Sequence, residues 1–366
     1  MSPRNCLLAL LWLFSAWMCG TAHAEKLAGP VDLQAQWRAY AGSAQPRACP
    51  VVRALSSRLE SIGFYNDPKN SVIDPKLHAR DMELLADARA AEQALADAVT
   101  DLIRAPASRR GEIAGCALRQ LIRFPRDRAF LDTEGRSSTG AARLFSVTPA
   151  FAYLVLRDAG MVPPEAEREI LFWIREFAIR LEAWQGPIPY GGNVLDWTHA
   201  GLALAAVALG DRPLLERAID GALAASALVS PEGTLANEMA RGDMAMGYSL
   251  FSAQALSITI AVAKANGRDL LAEPAGAGLR RLFDAMTQSI VDPAEFVRRG
   301  GSLAATRPDK ADAQSMGFLL IWWRATGDPL ARNAACARDR LESFRIGGDW
   351  FYLFAEPSLC QGIKGR

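Results

Sequence analysis

Histidine is scarce in this chain. There are three in 366 residues, and one of them, His23, lies in the leader described below. No Cys-x-x-Cys pair and no Cys/His cluster is present, so the sequence has none of the spacings that hold zinc, and neither metal nor cofactor is expected. A charge imbalance is missing too: 41 basic residues face 40 acidic ones. That excludes a nucleic-acid binder driven by bulk charge, although it leaves room for a local basic cleft. Alternating strand-type patterns are rare, so strands should be few. Neither a low-complexity segment nor a domain linker interrupts the chain. No fixed period of about 34 or about 40 residues marks a standard repeat solenoid.

The first 24 residues read as a secretory signal. Arg4 supplies the positive start, residues 7–17 the apolar run, and Ala22-His23-Ala24 a small-x-small cleavage site. Cleavage is expected near Ala24, into the periplasm or beyond. No later apolar run reaches the roughly 20 residues a spanning helix needs, so stable membrane insertion is not expected. Arg4 is the leader's one charge, so its removal leaves 40 basic and 40 acidic residues. Residues 25–366 are expected to form one domain and a monomer; a chain of roughly 340 residues is ample for a large core.

Cys49, Cys116, Cys336 and Cys360 remain after the leader. An even count in an exported chain suggests disulfides. Three pairings are open; Cys49–Cys116 with Cys336–Cys360 is the simplest, closing one N-terminal and one C-terminal loop.

Helical periodicity dominates from residue 77. Candidate helices cover 77–104, 109–124, 148–159, 164–184, 193–209, 212–228, 243–266, 275–290, 313–325 and 330–344. Pro149 and Pro164 read as starts, Gly210 and Gly267 as stops. Residues 201–209 and 253–263 are apolar on all sides, which marks an inner layer. Residues 41–75, 185–192, 230–240 and 300–312 read as loops, and 344–349 as a turn between short extended pieces. Short connections between successive helices predict an all-α toroid of antiparallel hairpins.

The most informative stretch runs Asn-Glu-Met-Ala-Arg-Gly-Asp-Met-Ala-Met-Gly-Tyr from Asn237 to Tyr248. On a continuous helix, seven residues turn about 700°, so Arg241 and Tyr248 would share a face. A cation beside a phenol is what base-promoted elimination on an acidic sugar requires. Asn193 follows the breaker-rich Gln-Gly-Pro-Ile-Pro-Tyr-Gly-Gly and reads equally as an N-cap. Trp184 and Tyr190 flank that loop as candidates for a sugar-binding wall.

These residues also carry a resemblance, from about Tyr65 to Asp349, to the alginate lyase family of α/α-toroid polysaccharide lyases. Tyr65-Asn-Asp-Pro-Lys69 followed by Ile73-Asp74 is similar to the family's N-terminal loop, which carries a lysine into the cleft. Cys116-Ala-Leu-Arg-Gln-Leu resembles a helix whose cysteine is often disulfide-bonded. Asn193 to Trp197 resembles the asparagine–histidine helix start with its tryptophan, but Val194 stands in the histidine's place. Gly233-Thr-Leu-Ala-Asn-Glu238, Arg241 and Tyr248 resemble the catalytic segment, and Phe344-Arg-Ile-Gly-Gly-Asp349 the C-terminal signature. His199 lies roughly 140° around a helix from Val194 and does not replace the histidine. His78 reads as a surface residue.

The resemblance implies a lyase acting on an acidic, uronate-containing polysaccharide. Tyr248 would be base and acid, with Asn193 and Arg241 neutralising the C5 carboxylate. Lys69, Trp197, Tyr190 and Glu238 would contact substrate or orient those that do. Two other readings stand beside it. One is an inactive relative that binds an acidic exopolysaccharide, favoured by Val194 and the balanced charge; the other is a helical scaffold without sugar chemistry. A hydrolase would need a carboxylate pair such as Asp196 and Glu238 facing across the bond.

Overall fold

The computed structural model describes residues 26–43, 47–51, 53–185, 192–306, 315–343 and 345–363. The signal segment and Tyr190 lie outside them. The helices are α1 (Leu33–Tyr40), α2 (Pro75–Leu84), α3 (Ala86–Arg104), α4 (Arg110–Leu121), α5 (Arg123–Arg126), α6 (Arg136–Leu144), α7 (Val147–Asp158), α8 (Pro164–Gln185), α9 (Asn193–Leu209) and α10 (Arg212–Ala227). They continue as α11 (Ala236–Met239), α12 (Ala245–Ala265), α13 (Ala277–Val291), α14 (Pro293–Arg298), α15 (Phe318–Thr326) and α16 (Pro329–Cys336). Strands β1 (Glu342–Ser343) and β2 (Gly348–Asp349) pair antiparallel before α17 (Trp350–Phe354). This is the predicted all-α toroid with few strands.

Burial separates two layers. Helix α7 is buried at every position from Val147 to Leu156, and α9 and α12 are buried almost throughout. Helix α8 buries only Ile170, Trp173, Ile174, Phe177, Ala178 and Leu181, the single stripe of an outer helix. Helix α9 is the hub, packed against α7, α8, α10 and α12. Its approach to the preceding segment depends on Gly201, where a Cβ would lie 2.2 Å from the Ser146 hydroxyl. Gly210 ends α9 at φ +64°, and the Asp211 carboxylate caps α10 by accepting from Leu214 N.

Several expectations are corrected. The span 77–104 is two helices, because Leu85 adopts φ −90°, ψ 0° and its buried side chain turns the chain inward. The last predicted helix stops at Cys336, where the chain departs for the β1–β2 ribbon. Helices α1 and α6 were not foreseen. Two stretches, Arg136–Asp158 and Gly242–Ala265, have the length and hydropathy of spanning helices after all, but 78% of each apolar window is buried in the fold. Cys49 bonds Cys116 and Cys336 bonds Cys360, the simplest of the three pairings.

Candidate active site

The candidate residues meet where α9 begins beside the α11–α12 connection. Glu238, 1% exposed, joins them. Its Oε1 accepts from the Asn193 backbone N–H at 2.9 Å and from Asn193 Nδ2 at 3.0 Å. Its Oε2 pairs with Arg241 Nε at 2.9 Å. Burial raises the Glu238 carboxyl, while Arg241 and the two Asn193 donors oppose that shift. Asn193 is therefore not the N-cap. Gly192 holds that position, and the Asn193 amide is committed to Glu238.

Arg241 and Tyr248 touch, but not as members of one helix. Arg241 precedes a 3₁₀ turn at Gly242–Met244, and α12 starts at Ala245. The guanidinium carbon sits 3.9 Å from the Tyr248 ring centroid, a cation–π contact on the ring face. Burial pushes the Tyr248 hydroxyl well above its ordinary value.

The 64–74 loop covers this pair. Tyr65 and Ile73 form a bridge across its base. Inside it the Asp67 carboxylate accepts from the N–H groups of Lys69, Ser71 and Val72. Arg241 Nη1 reaches the Asn70 carbonyl at 3.4 Å. Lys69 is exposed on the same loop. Tyr65 lies 6.4 Å from Tyr248, ring to ring, and its buried hydroxyl has no hydrogen-bond partner. The sequence motif contained Tyr65, but nothing in spacing marked it as a site residue. His78, half-buried, packs edge-on against Phe64.

Trp197 is 1% exposed, so no sugar ring can stack on it, contrary to expectation. It packs against Phe251 with centroids 4.9 Å apart, and Arg345 lies 5.9 Å from its centroid. Beneath, the fully buried Glu92 accepts from Thr148 Oγ1 at 3.1 Å. Burial lifts the Glu92 carboxyl to about 7 against the opposing effect of Arg345. Spacing gave no sign of either Glu92 or Arg345. Trp184 packs edge-on against Phe177 and is only partly exposed.

Asp196, 3% exposed, accepts from Ser252 Oγ and has burial as the main cause of a rise to about 7, with Glu238 adding to it. Asp196 and Glu238 are neighbours electrostatically. Both are buried, and Glu238 is fully engaged, so they do not flank a sugar as a glycosidase pair does. Among the described residues no cluster of three His, Cys, Asp or Glu side chains is placed to hold a metal.

The amide of Asn193, the guanidinium of Arg241 and the phenol of Tyr248 thus gather at the head of an inner helix of an α/α toroid. Solved structures share this fold. Alginate lyase A1-III from Sphingomonas species A1 superposes with a TM-score of 0.68 at 16% identity, covering 91% of this chain and 97% of that one. An alginate lyase from Bacteroides ovatus gives 0.59 at 15%, over 88% and 91%. The chain belongs to the alginate lyase family, whose profile matches residues 65–296. An alginate lyase of Azotobacter chroococcum is 28% identical over 235 residues, which span 62% of this chain and 63% of that relative. One from Azotobacter vinelandii is 28% identical over 261 residues, 69% and 70%. A polysaccharide lyase of Stenotrophomonas maltophilia is 26% identical over 320 residues, 82% and 89%.

Proposed function

We propose that this protein is an exported lyase that cleaves an acidic, uronate-containing polysaccharide, such as alginate or polymannuronate, by β-elimination. The observation that carries the reading is the double role of Glu238, which holds Asn193 and Arg241 side by side next to Tyr248. An amide N–H and a guanidinium together neutralise a C5 carboxylate, which makes the C5 proton removable and stabilises the enolate-like charge that follows.

The Tyr248 phenolate takes the C5 proton. The electrons of that bond form C4=C5, the C4–O4 bond breaks, and the new phenol returns its proton to O4. Base and acid in one side chain suit syn geometry. Val194 is aliphatic and contributes no second proton-transfer group, so the reading assigns this protein to syn substrates. Lys69 and Tyr190 would contact neighbouring sugars. The two disulfides fit an oxidising compartment, in keeping with export after cleavage near Ala24.

Ultraviolet absorbance during incubation with polymannuronate, polyglucuronate and polyguluronate tests this, with Tyr248→Phe as control. A rise on a syn substrate, lost in the control, is expected. A flat trace on all three from folded protein would replace the lyase with a polysaccharide-binding relative. Cleavage of polyguluronate by anti elimination would remove the role given to Val194.

A further inference from the structure

Helix α9 has a second face with chemistry on it. Leu195, Asp196 and His199 lie on average roughly 130° around the helix from Asn193 and Trp197. They open into a cavity of about 370 Å³ between α9 and α10, near the lower end of small-ligand pockets. Gly221, Ala225, Leu228 and Leu235 line it as well. A Cβ on Gly221 would come within 2.3 Å of His199 Nε2, so this glycine leaves the imidazole its space.

Asp196, His199 and Asn237 are the polar side chains given for this cavity, and the first two have unmet bonding capacity among the described residues. Among those residues Asp196 takes one hydrogen bond, from Ser252, and has no cation partner. His199 is 6% exposed, and among the described residues its buried Nδ1 has no hydrogen-bond partner. Its ring is neutral near pH 7, because burial, with Arg143 adding to it, lowers it to about 4. Among the described residues no lysine or arginine lines the cavity, so none of them would balance an anionic ligand. The neighbouring Glu238 has its charge engaged by Arg241. A buried carboxyl without a counter-charge, next to a free imidazole nitrogen, is complementary to a group that brings both positive charge and several N–H donors. The opposite wall is aliphatic and suits the apolar face of a ring.

We propose that this cavity is a second ligand site, taking a small protonated primary amine carried on a ring of hexosamine size. The ammonium pairs with the Asp196 carboxylate and donates to His199. The ring lies on Ala225, Leu228 and Leu235. The cavity adjoins the proposed polysaccharide cleft at Gly192 and Asn237, and its test needs no turnover.

Titration calorimetry with D-glucosamine, D-glucose and D-glucuronate keeps the pyranose ring and exchanges one substituent, an ammonium at C2 or a carboxylate at C6. Glucosamine is expected to bind at least about tenfold more tightly than glucose, the effect of one charge-assisted contact, with glucuronate weakest. Asp196→Asn keeps the side-chain shape and should erase the preference for the amine. Ala225→Phe fills the cavity and should abolish glucosamine binding; if it fails to fold, Asp196→Asn decides alone. Glucosamine binding no tighter than glucose, or unchanged in Asp196→Asn, would overturn the proposal. So would the absence of binding by any of the three.

Discussion

Arg241 lies on the face of the Tyr248 ring, 3.9 Å from its centroid, rather than beside its hydroxyl. A cation there holds the ring in place and does little to ionise the oxygen. What governs the oxygen is burial, which favours the neutral phenol.

The pH dependence of cleavage follows. The base form of Tyr248 is the phenolate, and burial places its pKa above the ordinary value near ~10. Below that pKa the phenolate fraction grows about tenfold per pH unit. The logarithm of kcat/KM is expected to rise with unit slope from neutral into alkaline pH. A plateau reached at or below neutrality would show that another group is the base.

Arg241 has three contacts: the Glu238 carboxylate, the Tyr248 ring and the Asn70 carbonyl. A lysine keeps the charge but has no planar fork to make all three. Arg241→Lys is expected to lower kcat by about 10²-fold or more, as loss of a preorganised donor does. Glu238→Gln should act in the same direction by releasing Arg241. Steady-state kinetics on the best substrate measures both; wild-type kcat in either variant would contradict the arrangement.

Trp197 is a core residue. Trp197→Leu should destabilise the fold by about 2–4 kcal/mol through lost packing. KM should stay near wild type wherever the variant remains folded. Denaturant melts alongside kinetics separate the two effects, and a large KM rise without loss of stability would restore a substrate-stacking role.

Asp196 makes stability depend on pH with a definite sign. Its carboxyl goes from an ordinary 3.8 to about 7 on folding, so the folded state holds the proton more tightly. Between those values the folded chain binds more protons than the unfolded one, and stability falls as pH rises. Asp196→Asn removes that loss. Its stability relative to wild type should therefore grow from pH 4 to pH 7, as read from urea midpoints. A difference that stays constant across that window would mean the carboxyl titrates normally.

Several helices were legible because their ends carry local signals: Pro164 opens α8, Gly210 closes α9 at positive φ, and Asp211 caps α10. The break at Leu85 carried no such signal, since the turn there serves tertiary packing. The Arg241–Tyr248 contact was anticipated through helical spacing, yet a 3₁₀ turn separates the two residues and tertiary packing brings them together. Trp197 was misplaced because α9 is apolar on nearly every side, and no periodicity distinguishes cleft from core. The roles of Tyr65, Glu92 and Arg345 depend on partners far away in sequence, which spacing along the chain cannot register.

Glu238 fixes one further property of the site. The amide of Asn193 and the guanidinium of Arg241 sit on segments 48 residues apart in numbering, yet both are fastened to the two oxygens of one carboxylate. Their separation is therefore governed by the covalent geometry of a single functional group, not by how accurately two helices pack. When α9 and α11 shift against each other in thermal motion, the pair of donors moves as one body. The two donors keep their span while the walls around them move.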